Sequence, residues 1–233
     1  VRNSSVQRAS IQNKQIYVVG KSMITYTGIE LRAEDDELVW QQILDIAKEH
    51  PLGTWIPFTP YQICVALGWS TNGHYYSKVH NCLLRMKATA IAIEVKDGSN
   101  STVNGSNSTV KGKAISLVAG YDWDVAEKGN RTRHRLQISP GMDKLFAGSK
   151  YTHIEWIAYR DLPPIARRLC DYAASHLRPY PLKLQTVRMM CGSDSMIPKR
   201  WRQQVKEACA ILEKSTLIKC AHVSENDQVC FKR

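Results

Sequence analysis

The stretch Pro181–Lys214, PLKLQTVRMMCGSDSMIPKRWRQQVKEACAILEK, gives the clearest indication of the fold. Its first part, Leu182–Cys191, predicts a short amphipathic helix, and Gly192 opens the polar turn that follows. Its second part, Pro198–Lys214, predicts a longer helix whose outer face is basic. Two helices joined by a short turn that contains glycine are typical of a helix-turn-helix, whose second helix can enter the major groove of DNA.

The first half of the chain has a related layout. Thr59-Pro60 predicts the start of a helix that ends near Leu67-Gly68, and a second helix is predicted over His74–Lys87. An earlier helix is predicted from the acidic run Glu34–Glu37 to about Glu49. Carboxylates at a helix N-terminus interact favourably with the macrodipole, which explains the four acids better than a divalent-cation site does.

The second half repeats this order of elements. Pro163-Pro164 begins a helix that runs to about His176, and it is followed by the two helices of Pro181–Lys214. Three helices and a β-hairpin make the winged-helix plan, so the sequence predicts an α+β fold with two tandem winged-helix domains. Strands are predicted within Gln15–Leu31 and at Ala88–Val95, Ala114–Val118, Thr132–Ile138, Leu217–Val223 and Gln228–Lys232.

These elements predict an N-terminal arm at 1–23, a first winged-helix domain at 24–139 and a second at 140–233. The first domain includes the low-complexity loop 98–111, which contains the repeat SNSTV twice and is predicted to be mobile. The chain begins with Val1 rather than Met, which favours a fragment or a processed product.

The composition favours a polyanionic partner. The 233 residues include 32 Lys and Arg against 21 Asp and Glu, which gives a formal net charge of +11. Such an excess suits nucleic acid or an anionic membrane surface. No apolar run approaches the roughly 20 residues that span a bilayer, and no signal segment opens the chain. We therefore expect a cytoplasmic protein without a membrane partner.

The cysteines indicate neither a disulfide framework nor a metal site. There are seven, they are scattered, and none forms a CxxC pair, so reduced thiols are expected. Cys209, for example, lies on an apolar helical flank. Cys220, His222 and Cys230 could meet across the predicted hairpin, but a fourth metal ligand is not evident. No metal or other cofactor is predicted.

The basic helix Pro198–Lys214 provides the first candidate DNA-binding surface. Its residues Trp201, Val205, Ala208 and Leu212 form one stripe that should face the core. Cations and amides on the other side can read base edges, contact phosphates without reading sequence, or form a solvated face. The candidates on this helix are Lys199, Arg200, Arg202, Gln203 and Lys206.

The first half of the chain provides two further candidate surfaces. On the helix His74–Lys87, the residues predicted to point outward can bond to base edges or phosphates. Arginines that alternate along the strand near Thr132–Ile138 could lie on phosphates as a wing, or be solvated. The turn Ser224–Asp227 is acidic, so we expect it not to enter a groove. The candidates are His74, Ser77, Lys78, Asn81 and Arg85 on the helix, and Arg131, Arg133 and Arg135 at the strand.

Common enzyme signatures are missing. Gly112-Lys113 superficially resembles a P-loop, but Ala114 stands where Ser or Thr is required. The sequence has no HxH pair of the kind that nicking enzymes use, no HExxH and no GxSxG. We therefore expect that the protein is not an enzyme.

Several longer motifs resemble the TrfA-type replication initiators of IncP broad-host-range plasmids. They occur in matching order and spacing from about Ile11 to Arg233. The motifs are TYTGIELRAEDDELVWQQ (Thr25–Gln42), GWSTNGHYYSK (Gly68–Lys78), LFAG followed by YT (Leu145–Thr152), PYPLKL (Pro179–Leu184) and CGSDS (Cys191–Ser195).

This resemblance implies a function in plasmid DNA replication. Proteins of this family have two winged-helix domains, bind tandem iterons in double-stranded origin DNA, and help to open the adjacent AT-rich region. They bring the host initiator and replicative helicase to the origin, and single-stranded origin DNA is a further expected ligand. Monomers are expected on DNA, and dimers off DNA contribute to copy-number control. The resemblance assigns DNA reading to His74–Lys87 and Pro198–Lys214.

Two features depart from the family pattern. The Ser/Asn-rich loop 98–111 is not associated with it, and the short sliding-clamp-binding motif of the family's upstream segment is not found. We therefore expect origin binding without engagement of the clamp by this chain. The alternative function is a sequence-specific transcriptional repressor without an initiation role, which would use the same surfaces.

Overall fold

The computed structural model describes residues 7–19, 22–51, 53–96, 110–124, 133–140, 142, 154–193 and 197–232. They form two compact units. The N-terminal unit consists of the described residues of Gln7–Leu31 and Asp35–Ala147. The C-terminal unit consists of those of Gly148–Arg233 together with Arg32–Glu34. Both units mix helices and strands, in agreement with the predicted α+β class.

The described residues of the N-terminal unit form three helices and two antiparallel sheets. One sheet has the strand order β1-β2-β4-β5 and the other has the order β3-β7-β6. The helices pack on one another, and α3 also packs on β6. The elements are β1 (Ser10–Val19), β2 (Ser22–Ile29), α1 (Asp36–Ala47), β3 (Trp55–Phe58), α2 (Pro60–Ala66), α3 (Gly73–Lys87), β4 (Ala90–Lys96), β5 (Val110–Ile115), β6 (Val118–Asp124) and β7 (Arg133–Ile138).

Two predicted boundaries in this unit need correction. Strand β1 occupies much of the range 1–23 that was predicted to be an arm, because it pairs with β2 from Ser10 opposite Ile29 to Val19 opposite Ser22. The single strand predicted at Ala114–Val118 is instead the junction of β5 and β6. The chain leaves one sheet and enters the other there, since β5 pairs with β4 and β6 pairs with β7. Most of the loop 98–111 lies outside the described residues.

The described residues of the C-terminal unit have the same order of helices and form one small sheet. Its strands are antiparallel in the order β8-β10-β9. The first residues of the predicted helix Leu182–Cys191 form a strand instead, because Leu182 pairs with Val229. The elements are α4 (Trp156–Arg160), α5 (Pro164–Ser175), β8 (Leu182–Lys183), α6 (Leu184–Met190), α7 (Pro198–Lys214), β9 (Cys220–Val223) and β10 (Gln228–Lys232).

A glycine turn of the same kind follows α2 and α6. Gly68 and Gly192 have φ angles of 67° and 56°, a region that residues with a Cβ rarely occupy. After α6, Gly192 N donates to Met189 O and Ser193 N donates to Arg188 O, both at 3.1 Å. Equivalent bonds follow α2, and this pair of bonds is the Schellman motif. The glycines therefore end the first helix of each pair and turn the chain towards the second.

Each unit has its own apolar core. In the N-terminal unit, α1 and α3 supply most of the fully buried side chains, and β6 and β7 close the other side. The largest described ones are Val39, Ile43, Ile63, Val79, Leu83, Met86, Val118, Leu136 and Met142. In the C-terminal unit, α5, α6 and α7 surround a cluster that includes Leu169, Val187, Trp201, Val205 and Leu212.

Candidate nucleic-acid interface

Helix α7 has the amphipathic orientation that the sequence predicts. The side chains of Trp201, Val205, Ala208 and Leu212 are all at most 4% exposed, which confirms the inner stripe. Trp201 Nε1 also donates to Leu184 O at 2.9 Å, so the first turn of α7 is held against the start of α6. The opposite side presents the exposed residues Lys199, Arg200, Gln203 and Lys206.

One predicted contact on this helix is held by the protein itself. Arg202 forms an ion pair with Asp227 and donates to Ser224 O at 3.1 Å. Both partners belong to the turn between β9 and β10, so Arg202 ties that turn to α7. Gln203 Nε2 donates to Glu207 Oε1 at 2.9 Å one helical turn further on, which orients an exposed amide along the helix.

Helix α3 presents a smaller polar surface than predicted. His74, Ser77 and Asn81 are exposed, as expected for its outer side. Lys78 is half-buried, because its ammonium lies 4.5 Å from the centroid of the Trp69 ring. A cation over an indole face is attracted by the ring quadrupole, so Lys78 is oriented by the aromatic side chain that follows the α2 turn.

The prediction that Arg85 points outward was wrong. Its Nε donates to Asp36 Oδ1 at 2.9 Å, and its side chain is only 15% exposed. Arg8 binds the other oxygen of Asp36 at 2.6 Å and also pairs with Asp35 at 2.6 Å. A buried carboxylate is stable only when it is paired, and this requirement turns Arg85 inward. We call these four residues the ion cluster.

The ion cluster explains the acidic run at the start of α1. Asp35 is the N-cap residue and accepts a hydrogen bond from Asp36 N at 2.8 Å, in agreement with the predicted helix start. Burial alone would raise the pKa of Asp35, but hydrogen bonds and charge from Arg8 lower that pKa below its usual value. Ligand atoms of Asp35, Asp36 and Cys82 lie within 4.8 Å of one another. Two guanidinium groups already compensate these carboxylates, so a cation is not required there.

The arginines of β7 lie on a strand whose neighbour is acidic. Arg135 forms an ion pair with Asp122 of β6 at 2.8 Å, and its guanidinium lies 4.8 Å from the centroid of the Trp55 ring. The register places Asp124 opposite Arg133. These carboxylates reduce the positive potential that a phosphate-binding wing needs. Arg131 lies outside the described residues.

A hydrogen-bonded cluster beneath α3 was not foreseen from the sequence. The Tyr121 hydroxyl lies 2.7 Å from His134 Nδ1 and 3.0 Å from His80 Nδ1, so it joins α3 to β6 and β7. Burial, with a smaller contribution from His80, lowers the pKa of His134 to about 4. The imidazole of His134 is therefore neutral at pH 7, and the cluster supports the position of α3 by packing and hydrogen bonds.

The described residues offer little support for a metal ion at the C-terminal hairpin. Cys220 Sγ lies 3.5 Å from His222 Nδ1, but the only described group of three ligating atoms within 4.8 Å is the one at Asp35. Within the described part of the chain, no helix combines the length and apolar character needed to cross a bilayer.

Sequence reasoning missed Lys183 and Arg188, which lie beside the first turn of α7. It treated α6 only as a support for the next helix. Their basic character was visible in PLKLQTVRMM, but their closeness to Lys199 depends on how α6 packs on α7. They extend the cationic surface of the C-terminal unit beyond α7 itself.

Comparisons with known proteins agree with the motifs. A family model described as TrfA protein matches residues 1–233. The plasmid replication initiator protein TrfA of Escherichia coli is 46% identical over 234 residues, and the match covers 100% of this chain. It covers 58% of that relative, so the chain spans less than two thirds of the relative's length.

Solved structures share the fold at low sequence identity. A crystal structure of RctB domains 2 and 3 has a TM-score of 0.63 at 12% identity and covers 88% of this chain and 79% of that chain. A second structure, of selenomethionine derivatives of the same domains, has a TM-score of 0.66 at 13% identity and covers 88% and 80%.

Proposed function

Because this chain belongs to the TrfA protein family, we propose that it is a plasmid replication initiator that binds tandem iterons in double-stranded origin DNA. The observation that carries the proposal is the outer side of α7. Its exposed Lys and Arg residues lie opposite a fully buried stripe, on a helix that follows α6 and a glycine turn. This arrangement suits a helix that enters the major groove.

We also propose that both units are winged-helix domains; the boundary predicted at 139–140 lies a few residues before the division between the units at Ala147 and Gly148. The support is their common topology. In each unit a single strand separates the first two of three helices (α1, α2 and α3, or α5, α6 and α7), and a β-hairpin follows the third. The strand orders β3-β7-β6 and β8-β10-β9 are equivalent, because in each sheet that single strand pairs with the second strand of the hairpin. In the N-terminal unit the pair β4 and β5 is inserted between the third helix and the hairpin, where it extends the sheet of β1 and β2.

The proposed DNA contacts follow from the orientation of each side chain. The exposed residues of α3 and α7 and the half-buried Lys78 are the best candidates, whereas Arg85 belongs to the ion cluster and Arg202 positions the β9–β10 turn. Arg133 and Arg135 remain candidates for phosphate contact only. The proposed contacts are His74, Ser77, Lys78 and Asn81 on α3, and Lys199, Arg200, Gln203 and Lys206 on α7.

Further steps of initiation are proposed from the family alone. These are opening of the AT-rich region, binding of single-stranded origin DNA, and recruitment of the host initiator and replicative helicase in the bacterial cytoplasm. Monomers would act at the origin, and dimers would restrain copy number. Clamp binding is not proposed for this chain, because the sequence has no clamp-binding motif of the family's kind.

A binding titration on the tandem repeats of the origin tests the proposal. We expect stepwise occupancy of the repeats, a strong preference over a scrambled duplex, and affinity that falls steeply with salt as counterions are released. Gln203→Ala should weaken binding to the repeats by about 1–3 kcal/mol and relax specificity at one position if the amide reads a base. Lys206→Ala is its matched partner, and an equal loss on both duplexes would make Lys206 a phosphate contact. Equal wild-type affinity for both duplexes at all salt concentrations would contradict iteron binding.

Two functional assays separate this proposal from its rivals. A transcriptional repressor would bind the repeats but would not support replication of a plasmid that carries the origin when it is supplied in trans. A nicking enzyme would convert supercoiled origin DNA to the open circle in the presence of a divalent cation. We expect replication without nicking.

A further inference from the structure

The C-terminal unit contains a cleft of about 410 Å³ beside the first turn of α7. Its walls come from α6, from the start of α7 and from the turn between β9 and β10. The cleft is therefore separate from the middle of α7, although Lys199 belongs to both surfaces. The charged side chains among its described lining residues are Lys183, Arg188, Lys199, Arg202 and Asp227.

The walls of the cleft are joined by direct hydrogen bonds. Leu184 N donates to Asp227 O at 3.0 Å, and Trp201 Nε1 donates to Leu184 O at 2.9 Å. Arg202 Nη2 donates to Ser224 O at 3.1 Å. These three bonds connect α6, α7 and the β9–β10 turn to one another. The cleft is consequently preformed, which lowers the entropic cost of binding a ligand.

The charged side chains among the described lining residues favour an anion. Among the described lining residues, Lys183, Arg188, Lys199 and Arg202 carry positive charge and Asp227 carries negative charge. Asp227 forms an ion pair with Arg202, so the protein itself already neutralises one of these cations. Cationic side chains thus outnumber anionic ones among the described lining residues, which favours an anionic ligand. Planar guanidinium groups and ammonium groups together are a common combination for phosphate oxygens.

We propose that this cleft is a phosphate-binding site, and that on origin DNA it holds backbone phosphates beside the groove that α7 enters. The DNA part of this proposal rests on the proposed function. Lys183 and Arg188 are then anchoring residues that increase affinity without reading sequence. A small polyphosphate has the same chemistry as the DNA backbone, and the experiment below distinguishes the two sources.

The test removes two cleft charges from the intact chain with the variant Lys183→Gln/Arg188→Gln. Affinity for the iteron duplex and a scrambled duplex should fall by the same factor. The slope of log K against log salt should become shallower by about 1.8, since each phosphate contact contributes about 0.9. The single variant Arg188→Lys keeps the positive charge, so it should retain most of the wild-type salt slope.

The matched control removes the same charge elsewhere on the C-terminal unit. Lys214 and Lys219 are exposed and are not among the residues that line the cleft. Lys214 lies 15 residues after Lys199 on α7, which corresponds to about 22 Å along the helix. Lys214→Gln/Lys219→Gln should therefore leave the salt slope close to that of the wild type. Equal slopes for the two double variants would overturn the proposal.

A second measurement, calorimetric titration with inorganic tripolyphosphate, identifies the source of the phosphate. We expect the wild type and the control variant to bind it and the cleft variant to lose most of that binding. Loss of tripolyphosphate binding with an unchanged DNA slope would assign the cleft to a small phosphate compound and overturn the DNA part. A loss of affinity for the iteron duplex alone would show that Lys183 and Arg188 contact bases rather than phosphates. Should the wild type bind neither duplex, the proposed function fails, and tripolyphosphate alone decides whether the cleft binds phosphate.

Discussion

Arg85→Ala should lower the free energy of unfolding of the N-terminal unit by about 3 kcal/mol, the lower end of the cost of breaking a buried ion pair. The Asp36 side chain is 2% exposed, and Arg85 Nη2 lies 2.8 Å from its Oδ1. The variant removes this donor from a buried carboxylate. The cost stays at the lower end because Arg8 Nη1, which lies 2.6 Å from Oδ2, still compensates part of the charge.

The variant Arg8→Ala/Arg85→Ala should cost more than the sum of the two single losses. Either guanidinium can partly compensate Asp36 in the absence of the other, whereas the double variant leaves a buried charge without both. Residues of one ion-pair network are expected to be non-additive in this way. Urea unfolding followed by circular dichroism measures all three free energies.

Asn81→Ala is the control on the same helix. Asn81 is exposed on the outer side of α3, so its loss should change stability by less than about 0.5 kcal/mol and should weaken DNA binding. Arg85→Ala should instead lower stability and leave DNA affinity unchanged, when affinity is measured under conditions in which the variant remains folded. A stable Arg85→Ala protein that loses DNA affinity would refute the ion-cluster argument and restore Arg85 as a DNA contact.

Two further predictions concern the three-stranded sheet of the N-terminal unit. Gly120→Ala should lower the free energy of unfolding by about 1 kcal/mol, the lower end of the cost of overpacking, because the added Cβ would lie 2.6 Å from Cη2 of the exposed Trp55 ring, which must then shift. Gly112→Ala is its control, since that Cβ would approach Glu94 Cγ only to 3.6 Å; similar urea midpoints for the two variants would be the contrary result. Stability should also fall as the pH drops from about 6.5 to about 4, because the unfolded chain protonates its imidazole at the ordinary pKa whereas burial lowers the pKa of His134 to about 4 in the folded state. His134→Asn should flatten this profile in urea titrations at stepped pH, and an unchanged pH dependence in the variant would show that other groups cause it.

Local signals explain why the helices could be predicted. Helix α7 spans Pro198–Lys214 as predicted, because proline suits the first turn and the apolar positions recur with helical spacing. At α2, Thr59 and Gln62 form a capping box, which agrees with the helix start predicted at Thr59-Pro60. These signals act over a few residues, so they can be recognised without knowledge of the rest of the chain.

Side-chain partners were the part that local signals could not supply. Helical periodicity placed Arg85 on the outer side of α3, but Asp36 lies 49 positions earlier and turns it inward. The same applies to Arg202, whose partner Asp227 lies on the hairpin 25 positions later. Both arginines were predicted DNA contacts, and both have acidic partners that only packing brings near.

The sequence by itself determined the order of the elements, the glycine turns, the buried stripe of α7 and the membership of the TrfA family. Each of these depends on residue type and short spacing, which the chain carries whatever its tertiary contacts are. Only the tertiary structure decided which cations face solvent, where α6 and α7 create a basic cleft, and how β1 and β4 join one sheet. Ion pairs and strand pairing depend on distances between residues far apart in sequence, and those distances exist only after the chain has packed.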